Sequence, residues 1–407
     1  MPEKIDSATI TINGKDGWTL LQAEIVEAVS AMGFVHAEVL NDDATIAPAS
    51  LLSQAVMIRI PTLESTQPWR EVKGIVWQAR SLGPYRKGDD RSVYQLIVLP
   101  AMMAMSLRRL DRSFNGLPAM QVWQEVLEEW GDRVPYKGEG PMMALENEPC
   151  TEVLQNTHQS QETDLEFLLR LLSLHGVFWY QDHSGSEALP VLRLGTFSGA
   201  AAPWGNGTSL RFNPQETEIK FGPYVSRFTR EAFEGPRTPV VIGMHPALKA
   251  AVQPANLQVV AQSPASRSFK GFEWFQEESL SPQLGLNLGD MQSRSAKVIE
   301  QAMALDDQWG MGVATTTTVV PGHKITIEDL PGGADEDWFV TSTRLLVAGP
   351  GIANSEDSEE SSLLTGFRAV PLSMPFRPPL DPTRLDPPPL QGGIGSSGFQ
   401  QVSTLGG

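Results

Sequence analysis

The chain has 407 residues, of which 41% are hydrophobic and 19% charged, and its formal net charge is −17. A chain of this length and composition is expected to fold into two or three domains with a sizeable core. The acidic surface repels phosphate groups, which argues against nucleic acid and anionic membrane surfaces as direct partners. A single cysteine, Cys150, excludes an intrachain disulfide and a cysteine-based metal site.

The sequence shows no targeting or membrane-spanning pattern. Residues 1–18 have no apolar core of the kind that a signal peptide needs. The most apolar stretch, residues 96–107, is too short to cross a membrane and is interrupted by Pro100. We therefore expect folding in a reducing cytoplasm, no stable membrane insertion, and a route out of the cell, if there is one, that uses no signal peptide.

The first hundred residues predict short strands separated by turns. Residues 8–12 alternate small or apolar with polar side chains and run into the turn signal Asn13-Gly14. Residues 20–29 are interpreted as a short helix. Strands in series with little helix between them predict a barrel or a sandwich. Further strands are predicted at residues 56–60, 72–79 and 94–99.

The hydrophobic period then changes to that of a helix. One apolar stripe with the spacing i, i+3, i+4 and i+7 consists of Trp123, Val126, Leu127 and Trp130. Pro118 suits the first turn of this helix and Gly131 suits its left-handed end. Such a stripe faces the core more often than a partner groove, so core packing is the favoured interpretation.

A second helix is predicted by a capping box, in which Thr163 and Glu166 satisfy each other's backbone N–H groups. Its buried stripe is Leu165, Leu168, Leu169 and Leu172. Gly176 is expected to end the helix, and the aromatic residues 177–180 to form a strand. Residues from about 105 to 200 are thus interpreted as a mostly helical insertion between two strand-rich blocks.

The second strand-rich block runs from about residue 208 to 370. It contains one predicted helix at residues 291–304, with Asp290 as its N-cap. The acidic residues 355–362 predict a solvated loop, with docking of a basic effector as the alternative. Proline and then glycine dominate from residue 371 onwards, which predicts an extended linker. Strands are predicted at residues 312–320 and 338–347, and turns at 321–322 and 331–333.

No residue is predicted to be catalytic, to bind a cofactor or to bind a metal. None of the six histidines has a metal-site spacing, and adjacent acids such as Glu128 and Glu129 are typical of a solvated face. The G-x-G-x-x-G at residues 393–398 lacks the preceding strand and following helix of a dinucleotide site. There is no G-x-S-x-G elbow, and the sequon at Asn206 is interpreted as chance. The sequence therefore predicts a protein that is not an enzyme.

Four segments, in this order, resemble the hub region of the VgrG family of type VI secretion spike proteins. The first joins G-I-V at residues 74–76 to Y-Q-L-I-V-L-P at residues 94–100. The second is R-S-F at residues 112–114, ahead of the first helix. The third is E-T-D-L-E-F-L-L-R-L, which begins at Glu162 and leads to G-V-F-W-Y. The fourth comprises P-G-H at residue 321, W-F-V-T-S at residue 338 and P-F-R-P-P at residue 375.

The resemblance implies a mainly β fold with a helical insertion, similar to the tail hub of contractile-tailed phages. It implies two β-barrel domains per chain and a trimer. On this basis the chain is divided into a first β-barrel domain, a helical insertion domain, a second β-barrel domain and a linker with a truncated C-terminus. These are residues 1–104, 105–204, 205–370 and 371–407.

The resemblance also implies a mechanical function. Three copies would adapt a trimeric spike to a hexameric tube within a baseplate, and would carry a spike-tip protein and effectors outward when a sheath contracts. In the family the linker leads into a further small barrel and a β-helical needle. Whether that needle is truncated, absent or on a separate chain stays open. The alternatives are the tail hub of a prophage or phage-derived particle and a cell-wall-degrading spike enzyme.

Overall fold

The computed structural model describes fifteen parts of the chain. Strands dominate them, as the sequence predicts. No helix among them is long and apolar enough to span a membrane. They are residues 7–62, 67–86, 90–135, 153–205, 209–214, 223–231, 238–243, 258–260, 273–278, 298, 301–302, 305, 308–331, 335–349 and 364–378.

Six strands near the N-terminus form the first half of a twelve-stranded sheet, which we call the first unit. They are β1 (Thr9–Ile12), β2 (Trp18–Ala28), β3 (Phe34–Asn41), β4 (Ala55–Pro61), β5 (Trp69–Pro84) and β6 (Ser92–Leu99). Their order is β1-β4-β5-β6-β3-β2, and every pairing in it is antiparallel. Alternate side chains such as Ile10, Ile12, Ala23 and Ile25 point into one apolar core. The strands predicted from alternation are confirmed.

The predicted helix at residues 20–29 is wrong, because these residues form β2. Glutamine, alanine and glutamate favour a helix here, but Ala23 and Ile25 are buried while Gln22 and Glu24 are half-exposed, which is the two-residue period of a strand. A bulge at Leu21 shifts the pairing with β3 and breaks the alternation at the start of the strand.

The insertion contains two α-helices and two antiparallel strand pairs. Its elements are β7 (Arg109–Pro118), α1 (Ala119–Glu128), β8 (Val153–Thr163), α2 (Asp164–Leu174), β9 (Phe178–Asp182) and β10 (Val191–Gly195). The pair of β7 and β8 has no counterpart in the sequence analysis. Short 3₁₀ helices lie at Pro48–Leu51, Ala101–Leu107, Gly131–Arg133 and Ser198–Ala200.

Both predicted helices of the insertion are confirmed. The Glu166 N–H donates to Thr163 Oγ1 at 3.2 Å and the Thr163 N–H donates to Glu166 Oε2 at 2.7 Å, which completes the capping box. Gly176 follows α2 with a φ of 67°, in the left-handed region that glycine favours. Gly131 also has a positive φ, but α1 ends at Glu128 and Gly131 begins the 3₁₀ helix beyond it.

The remaining strands are β11 (Ser209–Phe212), β12 (Tyr224–Glu231), β13 (Thr238–Gly243), β14 (Gln258–Val260), β15 (Glu273–Glu278), β16 (Trp309–Ala314), β17 (Lys324–Glu328), β18 (Glu336–Ala348) and β19 (Thr365–Pro371). Six of them, β11, β12 and β16 to β19, form the second unit in the order β18-β17-β11-β12-β16-β19. Because β19 also pairs with β18, this unit is a closed barrel. Strands β13, β14 and β15 form a separate sheet.

The C-terminal predictions have mixed outcomes. The strand predicted at residues 338–347 lies within β18, and Gly322 has the positive φ of 82° that its predicted turn requires. The strand predicted at residues 312–320 instead begins at Trp309 and ends at Ala314. The predicted helix at residues 291–304 lies outside the described residues except for helical Val298, Gln301 and Ala302. The acidic loop and residues 379–407 also lie outside them.

The two units have the same strand connectivity. The strands of each unit can be numbered one to six along the chain. The first unit then has the order 1-4-5-6-3-2. The second unit has the same order when its ring is read from β11 through β17, β18, β19 and β16 to β12. In the second unit, strands one and two (β11 and β12) pair with each other and thereby complete the ring. One strand departs from the match: β11 runs parallel to β17, whereas β1 runs antiparallel to β4.

Bulges at matching positions give a residue-by-residue equivalence between the units. The pairing of strands two and three shifts at Leu21 in the first unit and at Ser226 in the second. The pairing of strands five and six shifts at Trp77 in the first unit and at Thr341 in the second, and β5 has a further shift at Leu82 that β18 lacks. Since a bulge is a defined local change in one strand, we use these residues to align the two units.

A strand pairing joins the two units into one sheet. Strand β18 pairs with β17 through its first residues, and from Ser342 to Ala348 it pairs antiparallel with β2. Strand two of the first unit therefore meets strand five of the second.

Candidate functional site: the junction of the insertion with the two units

Three aromatic rings meet where the insertion covers the joined sheet. Phe178 of β9 lies 5.5 Å from Phe339 of β18 and 5.8 Å from Phe376, measured between ring centroids. Phe339 and Phe376 lie 5.6 Å apart, and all three are buried. Aromatic pairs at these separations stabilise beyond the area that they bury. This cluster fastens the segment after β19 and the insertion to the second unit.

Arg377 reinforces this contact. Its Nη1 donates to the carbonyl oxygens of Gly176 at 2.9 Å and Thr196 at 2.6 Å, and its Nε donates to Gln301 Oε1 at 2.7 Å. A Cβ on Gly176 would lie only 3.2 Å from the Arg377 side chain. Arg377 thus ties together the end of α2 and the end of β10.

The turn before β17 packs against the insertion from the other side. A Cβ on Gly322 would lie 2.6 Å from the Tyr180 ring, so a larger residue would push the turn away. The rings of Tyr180 and His323 lie 5.7 Å apart, edge to face. Burial lowers the pKa of His323, although a hydrogen bond with Pro321 acts in the opposite direction.

A buried arginine links the two units directly. The Arg70 side chain on β5 is 2% exposed, and its Nη1 donates to the carbonyl oxygens of Thr317 at 2.7 Å and Val319 at 3.3 Å. Its Nη2 is ion-paired with Glu27 of β2. A buried guanidinium is tolerated because its donors are bound to fixed acceptors.

His183, in the loop after β9, lies beside this arginine. The Lys73 backbone N–H donates to His183 Nδ1 at 2.9 Å, so the other ring nitrogen, Nε2, carries the proton. Nε2 lies 3.4 Å from Glu27 Oε1. Burial lowers the pKa of His183, against the opposing charge of Glu27. His183 is therefore neutral at pH 7 and holds the insertion against β5.

These groups border a cleft of about 340 Å³ between the insertion and both units. Its wall includes Asp182, whose pKa burial alone would raise but hydrogen bonds from Ser184 and Arg193 lower. An ionised carboxylate that already accepts these bonds is a poor general acid or base. The described residues contain no group of three or more His, Cys, Asp or Glu side chains that could hold a metal ion. The contacts around this cleft hold the insertion against both units.

Asp164 organises a second polar network inside the insertion. This carboxylate is fully buried at the start of α2, and it accepts from Trp130 Nε1 at 3.0 Å, Gln159 Nε2 at 3.0 Å and Arg112 Nη2 at 3.2 Å. Arg108 completes the set through an ion pair. A negative charge at this end of a helix is also favoured by the helix dipole. The network joins β7, β8, α1 and α2.

The motifs behind the family resemblance meet in these contacts. Arg112 of R-S-F binds Asp164 of E-T-D, and Phe114 of R-S-F stacks on Phe167 with ring centroids 5.7 Å apart. Phe178 comes from the third segment, and Phe339 and Phe376 come from the fourth. In these contacts the second, third and fourth segments contribute packing and positioning.

The described histidines lie in different parts of the molecule. His175 packs 6.4 Å from the Trp123 ring, and burial lowers its pKa to about 4. It lies in the insertion core, whereas His183 lies at the junction. His158 Nε2 is 3.2 Å from Asp111. His245, Cys150 and Asn206 lie outside the described residues.

Core packing of the tryptophan stripe is confirmed, because Trp123 is buried and Trp130 is half-buried with its Nε1 bound to Asp164. Glu129 is not simply solvated, since it pairs with Arg108 and Arg112 at 2.6 Å each. Sequence reasoning missed Arg70 and Glu27, because a charged residue on a strand normally indicates its exposed face.

Solved structures share this fold at low sequence identity. The Escherichia coli c3393 protein, described as a component of the type VI secretion system, matches with a TM-score of 0.59 and 17% identity, covering 91% of this chain and 80% of that one. A tail protein of Neisseria meningitidis MC58 matches at 0.59 and 12%, covering 89% and 95%. The 43 kDa tail protein of prophage MuSo2 from Shewanella oneidensis matches at 0.58 and 13%, covering 91% and 99%.

These likenesses define the class of fold as that of tail hub proteins. The sequence profile of the family described as phage tail baseplate hub (GPD) matches residues 26–350. The chain therefore belongs to this family, and the predicted likeness to a VgrG-type hub is confirmed at that level.

Proposed function

We propose that this protein is the structural spike hub of a type VI secretion machine and works as a homotrimer. The observation that carries the proposal is the presence of two units with the same connectivity in one chain. Three such chains around a threefold axis would place six similar units in a ring. Such a ring has the symmetry needed to seat a threefold spike on a hexameric tube.

The junction suits a part that transmits force. Arg70, the Phe178 cluster and Arg377 fix the insertion and both units to one another through buried contacts. Protein interiors packed in this way deform little under strain. The described polar groups of the junction hold neighbouring elements together through hydrogen bonds, which favours a mechanical function over catalysis.

The partners proposed with this function are the hexameric tube protein, the baseplate components, a spike-tip protein and the effectors that travel with it. The protein would assemble in the bacterial cytoplasm and be exported on firing. The secretion assignment is supported by the likeness to c3393 and to a chain of a Francisella PdpA-VgrG complex. That chain matches with a TM-score of 0.53 and 10% identity, covering 92% of this chain and 59% of that one.

The second candidate is the tail hub of a prophage or phage-derived particle. It is favoured by the two tail proteins whose chains are covered to 95% and 99%. Deleting the gene separates the candidates. Loss of contact-dependent killing of neighbouring cells indicates the secretion machine, whereas loss of released tailed particles indicates the phage assembly.

Light scattering on the purified protein tests the shared part of the proposal. A molar mass near three times 44.5 kDa is expected. A monomer at micromolar concentration would contradict the trimer and, with it, the six-unit ring.

A further inference from the structure

The pairing that joins the two units has a defined register. Across it, Arg344 of β18 faces Val26 of β2, and Leu345 faces Ile25. Arg344 Nε also forms a diagonal ion pair with Glu24 at 2.8 Å. The joint therefore combines backbone pairing with a charge pair on its outer face.

Each unit has a further strand edge, on β5 in the first unit and on β12 in the second. Within the described residues, neither edge is paired with another strand. In the first unit, residues 78–84 of β5 pair only with β6, because β4 covers β5 no further than Ile75. In the second unit, residues 227–231 of β12 pair only with β16, because β11 reaches β12 no further than Val225. Arg80, Ser81 and Leu82 are exposed on the first edge.

These two edges correspond to the two sides of the existing joint. Counting from the matching bulges Trp77 and Thr341, Arg80 and Ser81 are equivalent to Arg344 and Leu345. Counting from the bulges at 21 and 226, residues 230 and 231 are equivalent to residues 25 and 26. An edge with free N–H and C=O groups is a template for another strand.

We propose that β5 of one copy pairs antiparallel with β12 of the next copy, in the register of the β2–β18 joint. This places Arg80 opposite Glu231 of the partner subunit and Ser81 opposite Arg230 of the partner subunit. The facing charges of the first pair are opposite, which stabilises a cross-strand pair. The same kind of joint then links every neighbouring unit, which is the condition for a closed ring.

The inference rests on the proposed trimer and adds its interface, and disulfide trapping tests the two separately. The protein carries Cys150→Ser, so that the new cysteines are alone, together with Ser81→Cys and Arg230→Cys. Opposed residues of an antiparallel pair have Cα atoms roughly 4.5–5.5 Å apart, within disulfide range. Mild oxidation should close each interface and give a covalent trimer on a non-reducing gel.

The matched control combines Ser81→Cys with Arg211→Cys, on the exposed neighbouring strand β11, and should give no covalent trimer. If light scattering shows a trimer but only the control pair cross-links, or neither pair does, the interface is wrong while the trimer stands. A Cys150→Ser parent that stays monomeric overturns both.

Charge reversal gives a second readout that does not depend on cysteine. Arg80→Glu should weaken trimer formation about tenfold, because it places two like charges opposite each other. Adding Glu231→Arg should restore it. A double variant as weak as the single one would overturn the predicted register.

Discussion

The two units share their connectivity and two bulges, yet they fill their cores with side chains of different size. The second unit places three aromatic residues where the first has small or aliphatic ones, and two glycines where the first has larger side chains. The equivalent positions, with the second unit named first, are Phe228 and Ala23, Trp338 and Gly74, Phe367 and Leu96, Gly310 and Val35, and Gly312 and Ala37.

The glycines of the second unit are a consequence of its aromatic residues. A Cβ on Gly312 would lie 2.4 Å from the Phe367 ring, and one on Gly310 would lie 2.6 Å from the Phe228 ring. Phe228 and Trp338 pack edge to face with centroids 4.9 Å apart. One strand connectivity thus accepts two distributions of side-chain volume, provided that large and small residues face each other.

Removing the buried Trp338 side chain from the second unit should have the largest effect on stability. Trp338→Gly places the glycine of the first unit, Gly74, at the equivalent position of the second. The second unit lacks the larger neighbouring side chains that fill the space beside Gly74. We expect the free energy of unfolding in urea to fall by about 3–5 kcal/mol, because a cavity replaces a buried indole. The control Trp338→Phe should cost less than half as much, and equal costs would argue against a cavity effect.

Cutting the link between the units should have the next largest effect. Arg70→Met leaves Glu27 without its buried partner, so we expect a loss of about 3 kcal/mol in the free energy of unfolding. The matched control is Arg59→Met on β4, since Arg59 is half-exposed and pairs with Glu71 at the surface. That change should cost below about 1 kcal/mol. Similar losses for both arginines would show that Arg70 does not join the units.

Gly312→Ala puts the residue of the first unit, the alanine found at Ala37, at the equivalent position of the second unit. We expect a loss of about 1–3 kcal/mol from overpacking against Phe367. Adding Phe367→Leu, which copies the first unit further, should recover part of this loss. Gly366→Ala serves as the control, because the nearest atom to its Cβ would be the Arg344 carbonyl oxygen at 3.7 Å. The absence of rescue would contradict the equivalence.

The smallest effect is expected from acid acting on the junction. Burial places the pKa of His323 below its ordinary value, so the unfolded chain binds a proton before the folded one does. The stability contributed by neutral His323 is complete above about pH 6.5 and is lost as pH falls below it. Urea unfolding at pH 7 and pH 5 should therefore show a smaller difference for His323→Gln than for the parent protein. An unchanged difference would contradict this role.

Local patterns in the sequence predicted local structure well. The capping box of Thr163 and Glu166, the turn at Gly322 and the alternating strands all follow from interactions within a few residues. The pattern misled at residues 20–29, where the bulge at Leu21 disturbs the alternation and the composition favours a helix.

The equivalence of the two units could not be predicted from the sequence, because equivalent positions carry side chains of different size. Equivalent residues such as Trp338 and Gly74 have no sequence similarity, and only the register of strand pairing relates them. Arg70 escaped notice for a related reason: its acceptors are carbonyl oxygens about 250 residues further along the chain. Contacts across such a separation leave no local pattern.

We propose that one chain supplies two equivalent units to a ring of six. Electron microscopy of the purified assembly, viewed along its axis, is the decisive test. We expect three insertions around a strand-rich layer whose rotational power is strongest at sixfold order. A layer with threefold order alone, or particles without a ring, would contradict it.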